Sequence, residues 1–147
     1  MFDLSQLDTG NAAETGVAVA LLHPKTNVPL GIRIRVCGVD SEIYRSQVRK
    51  QQNRRTEAAR RARGRVTVSA EELESDALGI LVACTLGWES DVKEGDGIKT
   101  VPGLPVGGEL LEFTPENVRK IYANPGYGWL REQVDAEIGD RANFLPK

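Results

Sequence analysis

Six arginines, Arg49, Arg54, Arg55, Arg60, Arg61 and Arg63, crowd one short stretch of a 147-residue chain. A guanidinium is a permanently charged planar donor that fits carboxylates and phosphates, and its apolar stem can lie along hydrophobic surface. Its chemistry is recognition; it breaks no bond. The surrounding segment, Tyr44 to Arg65, holds nine of the nineteen Lys and Arg residues against a single acid, Glu57. The remainder is correspondingly acidic, so a formal net charge of -2 conceals a polarised molecule.

No other residues assemble into a reactive set. His23 is the only histidine, precedes Pro24 in a turn-forming stretch, and has no His or Cys partners for a metal. The Gly-Asp-Gly at 95–97 and the Gly-Gly at 107–108 match no phosphate loop, and no Gly-Lys-Ser/Thr occurs. Glu71, Glu72, Glu74 and Asp76 fall in the first turns of a predicted helix, where acids meet the helix dipole favourably. Cys37 and Cys84 sit far apart in apolar contexts and read as small buried hydrophobes of a reducing cytoplasm rather than as a disulfide. The expectation is a protein without catalytic residues, metal or cofactor, and so not an enzyme.

Three readings compete for the basic segment, which spans about six helical turns almost without an apolar face. A helix of that kind is held by solvent and salt, by a partner, or by something outside its own fold. It is a solvated face, a nucleic-acid contact that neutralises phosphates, or a protein-binding arm. A pI of about 5.5 weighs against nucleic acid, as does the lack of any interleaved aromatic but Tyr44. The arm reading makes the six arginines the candidate partner-binding residues. It further expects that changing Arg54, Arg55, Arg60, Arg61 and Arg63 to Gln leaves the fold intact.

The elements around this segment define the fold expectation. Val17 to Leu22 is strand-like, and Leu30, Ile32, Ile34 and Val36 alternate with Gly31, Arg33, Arg35 and Cys37, a period of two. Together these give an N-terminal β-hairpin. Asp40 or Ser41 caps the basic helix, which Gly64 ends, and Val66 and Val68 form an extended link. Ser69-Ala-Glu-Glu72 is a capping box with a Val68–Leu73 staple. The helix after it, Ala77 through Cys84, is apolar on nearly every side, stops near Gly87 and is the core helix. Thr114-Pro115-Glu116 opens another helix, broken at Asn124-Pro125-Gly126. Leu130, Val134 and Ile138 mark a last one. The predicted class is α+β and mainly α-helical, the hairpin being followed by about four helices, the first long and basic. Residues 1–147 make one domain, with 1–15 a flexible N-terminal segment and 89–108 an exposed loop. No apolar run approaches the roughly 20 residues of a membrane span, and MFDLSQLDTG lacks the features of a signal peptide.

The stretch LLHPKTNVPLGIRIRVCGVDSEIYR, the Arg-rich helix, ALGILVACTLGW and FTPENVRKIYANPGYGWLREQVDAEIGDRANFL together resemble small tail assembly chaperones of long-tailed bacteriophages and prophages. The resemblance covers roughly residues 17–146. It is most distinctive from Thr114 to Phe144, in Asn117-Val-Arg-Lys-Ile-Tyr122, Gln133-Val-Asp135 and Asn143-Phe144. It implies a mainly helical protein of the host cell cytoplasm that coats the tape measure protein, keeps it soluble and helps recruit tail tube subunits. Such proteins leave as the tube polymerises and are absent from the mature virion. The implied partners are the tape measure and tail tube proteins, with self-association possible and no membrane. The alternatives are a structural tail or head-tail connector protein, or a nucleic-acid-binding accessory protein that uses helix 44–65.

Overall fold

Alternating apolar residues from Leu30 to Val36 build the second strand of an antiparallel sheet whose other members come from both sides of the basic helix. The computed structural model describes residues 1–63 and 68–145. Strands β1 (Val17–Leu22), β2 (Pro29–Val36), β3 (Thr85–Glu94) and β4 (Gly97–Pro102) lie side by side in that order. Between β2 and β3 the chain leaves the sheet for two helices, α2 (Glu42–Arg61) and α3 (Ala70–Cys84), and returns to pair Val36 with Thr85. Here α1 is the short helix Gly10–Thr15 that precedes β1. A small ribbon follows, β5 (Leu104–Val106) with β6 (Glu109–Leu111). After it come α4 (Pro115–Ala123), a 3-10 turn at Pro125–Tyr127, α5 (Gly128–Gly139) and a closing turn at Arg141–Phe144.

The sheet has one buried face. Val19, Leu21, Ile34, Val36, Trp88 and Ser90 point into it, and Leu78, Leu81 and Cys84 of α3 pack with them. Val118, Ile121 and Tyr122 of α4 join the same core, as do Leu130, Val134 and Ile138 of α5. Trp88 meets Phe113 edge to face at 5.4 Å between ring centroids and donates its Nε1 hydrogen to the Leu111 carbonyl at 3.0 Å. The opposite sheet face carries Ala18, Ala20, Arg33, Arg35, Glu89 and Asp91 towards solvent. At one margin, the Gln133 carboxamide of α5 both accepts from Leu22 N–H at 2.9 Å and donates to its carbonyl at 2.8 Å. One side chain thereby supplies the two bonds a neighbouring strand would offer there.

Three local expectations hold in detail. Ser41 caps α2 by accepting from Tyr44 N–H at 3.1 Å, Thr114 caps α4 through Asn117 N–H with Pro115 behind it, and Ser69 caps α3 through Glu72 N–H, which is one of the two bonds of the expected capping box. α4 and α5 are separate helices, divided at Asn124-Pro125-Gly126.

The predicted fold class needs correcting. The chain opens on a helical segment, not on a hairpin, and the described residues contain five α-helices rather than about four. The strands 17–22 and 29–36 are half of a four-stranded sheet, not a lone hairpin under helices. Nor is 89–108 an exposed loop. Its glycines make hairpin turns: Gly95 stands at φ 60 in the two-residue turn between β3 and β4, and Gly107 and Gly108 at φ 59 and 83 between β5 and β6. The core helix ends at Cys84, short of Gly87, which lies in β3. Thr85 turns the chain there: its hydroxyl donates to the Leu81 carbonyl at 2.7 Å and lies 2.7 Å from the Tyr122 hydroxyl. Residues 1–15 hold a 3-10 turn, Leu4–Leu7, and α1, which is anchored by the fully buried Ala13. Val68 and Leu73 are both exposed, so no staple closes over α3. The expected stop at Gly64 and the link at Val66 lie outside the described residues.

Leu81 is 2% exposed at the centre of this core. Leu81→Ala is expected to cost about 2–5 kcal/mol by urea denaturation; a loss under about 1 kcal/mol would place α3 at the periphery.

Candidate protein-binding surface on helix α2

α2 runs for about 30 Å, yet Gln51 is its single buried residue. Apolar packing is limited to half-buried side chains such as Tyr44 and Val48 near its start, and polar contacts to α3 supplement it. Gly79 leaves room: a Cβ there would stand 3.2 Å from Gln47 Nε2 and 3.5 Å from Gln51 Nε2. Through this gap Gln51 Nε2 donates to the Asp76 carbonyl at 2.8 Å. One turn further on, Arg54 and Arg55 donate to the two carboxylate oxygens of the same Asp76. The Asp76 side chain is 7% exposed, whereas Arg54 is 65% and Arg55 38% exposed. The Arg54 guanidinium, seconded by Arg55, holds the Asp76 carboxyl below its ordinary value of 3.8 against the opposing effect of burial.

The six candidate arginines are thus divided. Arg54 and Arg55 are structural anchors. Arg49 pairs with Glu42 at the start of the helix, beside Arg45. Arg60 and Arg61 make only long contacts to Glu57, 3.5 Å each, and are 76% and 80% exposed. Arg63 follows the helix at φ 53, exposed, with no ion pair among the described residues. Among the six candidates, the distal trio Arg60, Arg61 and Arg63 is the part with no close ion pair among the described residues. The five arginines expected to be dispensable to the fold are not equivalent: Arg54 and Arg55 pair with a buried carboxylate, which their neutralisation would leave without a partner.

Two further features escape a reading by composition. Arg33 bridges Glu89 at 2.8 Å and Asp91 at 2.8 and 3.0 Å across β2 and β3, with Thr100 of β4 donating to Asp91. That network draws the Asp91 carboxyl down to about 2, chiefly through Arg33. The alternation in β2 exposes Arg33, but its partners lie in the segment read as loop. The second is a small apolar cleft of about 70 Å³ walled by Leu21, Ile32, Leu104, Ile121, Trp129 and Leu130. The Gly107-Gly108 turn between short apolar runs was the available signal for its β5–β6 wall. His23 acts locally, its Nδ1 accepting from Lys25 N–H at 3.1 Å and Thr26 N–H at 3.3 Å in the β1–β2 turn.

Changing Arg54 and Arg55 together to Gln is expected to cost about 1–3 kcal/mol in urea denaturation. The distal triple variant at Arg60, Arg61 and Arg63 should cost under about 1 kcal/mol. Adding Asp76→Asn to the double variant should recover part of the loss, and an unrecovered loss would mean that the pairs contribute nothing. The acid limb carries a second signature. Since the folded Asp76 titrates below its unfolded value, its contribution is present above roughly pH 4 and lost as pH falls through the folded pKa. Stability of Asp76→Asn should accordingly depend less on pH below 4 than that of the parent; parallel curves would contradict this.

Comparison with family models, with curated proteins and with solved structures gives no match for this chain.

Proposed function

We propose that this protein is a tail assembly chaperone of the long-tailed phage type, a non-catalytic protein that binds a tape measure protein and keeps it soluble while tail tube subunits are recruited. The resemblance of residues 17–146 to that family motivates the reading. The observation that carries it is the division of α2 into an anchored half and a free half. Gln51, Arg54 and Arg55 tie the helix to α3, which leaves Arg60 and Arg61 exposed in its last turn with 3.5 Å contacts to Glu57, and Arg63 exposed just beyond it. Such groups make shallow, repeatable contacts, suited to coating an elongated client that must later be released. Large apolar side chains exposed elsewhere, including Phe2, Leu4, Ile98 and Leu110, add adaptable surface.

Nucleic-acid binding draws less support, because four of the nine basic residues in the run, Arg45, Arg49, Arg54 and Arg55, face Glu42 or Asp76 within the chain. Phosphate contacts would have to rest on the distal trio.

Co-expression with a tape measure protein tests the reading. The parent should raise the soluble yield of the client severalfold and co-purify with it, and Arg60→Gln, Arg61→Gln and Arg63→Gln together should abolish most of that gain while the melting temperature stays within a few degrees. A variant that protects the client as well as the parent removes the arm from the proposal. Recovery of the protein in stoichiometric amounts from purified virions would make it a structural component, and tight, salt-sensitive DNA binding would make it a nucleic-acid accessory.

A further inference from the structure

β2 and β3 are adjacent strands, yet the whole α2–α3 pair is inserted between them. The last residue before the departure is Cys37, and the last of the returning helix is Cys84. Cys37 N–H donates to the Cys84 carbonyl at 2.9 Å, which continues the β2–β3 pairing one step beyond Val36 and Thr85. Both residues are completely buried, 0% exposed, and both are free thiols. With standard backbone dimensions, a bond of that length keeps the two Cα atoms within about 6.8 Å, the limit that a disulfide accepts. The backbone bond sets the two buried residues side by side.

We infer that Cys37 and Cys84 form a dithiol site that reacts with small disulfides of the glutathione class and closes to an intramolecular disulfide at the root of the α2–α3 insertion. The reaction balances without any other reagent. The Cys37 thiolate attacks one sulfur of oxidised glutathione, a mixed disulfide forms at Cys37, and one glutathione leaves as its thiolate. Cys84 then gives up its proton and attacks the Cys37 sulfur, and the second glutathione departs. Two protein thiols lose two electrons, and one glutathione disulfide becomes two glutathione thiols.

The surroundings support this order of attack. The neighbouring Cys84 draws the Cys37 thiol down against the opposing effect of burial, so Cys37 is the more readily ionised of the pair. The neighbouring Cys37, together with burial, pushes the Cys84 thiol up. Access is through the termini. Ala13 of α1 accepts from Gly38 N–H at 3.1 Å, and a Cβ on Gly38 would lie 2.9 Å from the Phe144 ring. α1 and the closing turn therefore form the cover next to Cys37, and such terminal elements open more cheaply than a core strand.

The site is independent of the chaperone reading, and neither stands on the other. The full chain is brought to equilibrium in a glutathione buffer rich in the disulfide form from two directions, native and refolding from urea, then trapped with a thiol alkylating agent under denaturing conditions. Expected from both directions is a monomer that has lost two hydrogens, takes up no alkylating agent and yields one peptide pair linking Cys37 to Cys84. Its melting temperature should exceed that of the reduced protein by roughly 10 °C, and dithiothreitol should reverse the gain. Cys37→Ser and Cys84→Ser should each lose the internal bond and retain at most one glutathione adduct. Two free thiols in the refolded sample, a persistent adduct in the parent, a cross-linked dimer, or a disulfide form that melts no higher than the reduced one would each overturn the inference.

Discussion

Asp76 is almost wholly withdrawn from solvent, and both of its carboxylate oxygens are met by guanidiniums from another helix. A charge in that position is costly unless it is paired, and breaking a buried pair is more damaging than never having had one. α2 has no apolar stripe to offer, so this pairing and the Gln51 bond beside it decide where the helix lies. Its direction then decides which arginines are engaged inside the chain and which remain outside. Much of what the surface can do follows from where a single acid is buried.

The sheet depends on the same docking in a less direct way. β2 and β3 are neighbours in space only because α2 and α3 carry the chain out and back to the same place. Thr85 ties the return to α4 through the Tyr122 hydroxyl, and Ser41 ties the departure by donating to the Gly38 carbonyl at 2.7 Å. Buried hydroxyls at both corners satisfy backbone groups that a tight turn would otherwise leave without partners.

The parts legible in the sequence are those fixed by short-range rules. Leu30 to Val36 alternate because a half-buried strand has a period of two. Ser41, Ser69 and Thr114 cap their helices because an oxygen three residues ahead of an N–H can reach it. Leu130, Val134 and Ile138 share one face and all three are buried. What was illegible was set at a distance or hidden by composition. Gly, Pro and acids between 89 and 108 suggest a loop on average, although Trp88, Ser90 and Val92 keep the core-facing alternation and the glycines at 95 and 107–108 sit where a turn requires them. The split among the arginines could not be read at all. Arg55 and Asp76 belong to different helices, and nothing in either local pattern says that they meet.

The Gln133 clamp on Leu22 gives the sheet a handed boundary. α5 covers the Leu22 end of that margin, and at the opposite margin β4 carries Ile98, 75% exposed, and Pro102, which lacks an amide hydrogen. An added strand would find the backbone pair of Leu22 already engaged at one margin and no donor at Pro102 on the other, which shortens the register over which either margin can be extended.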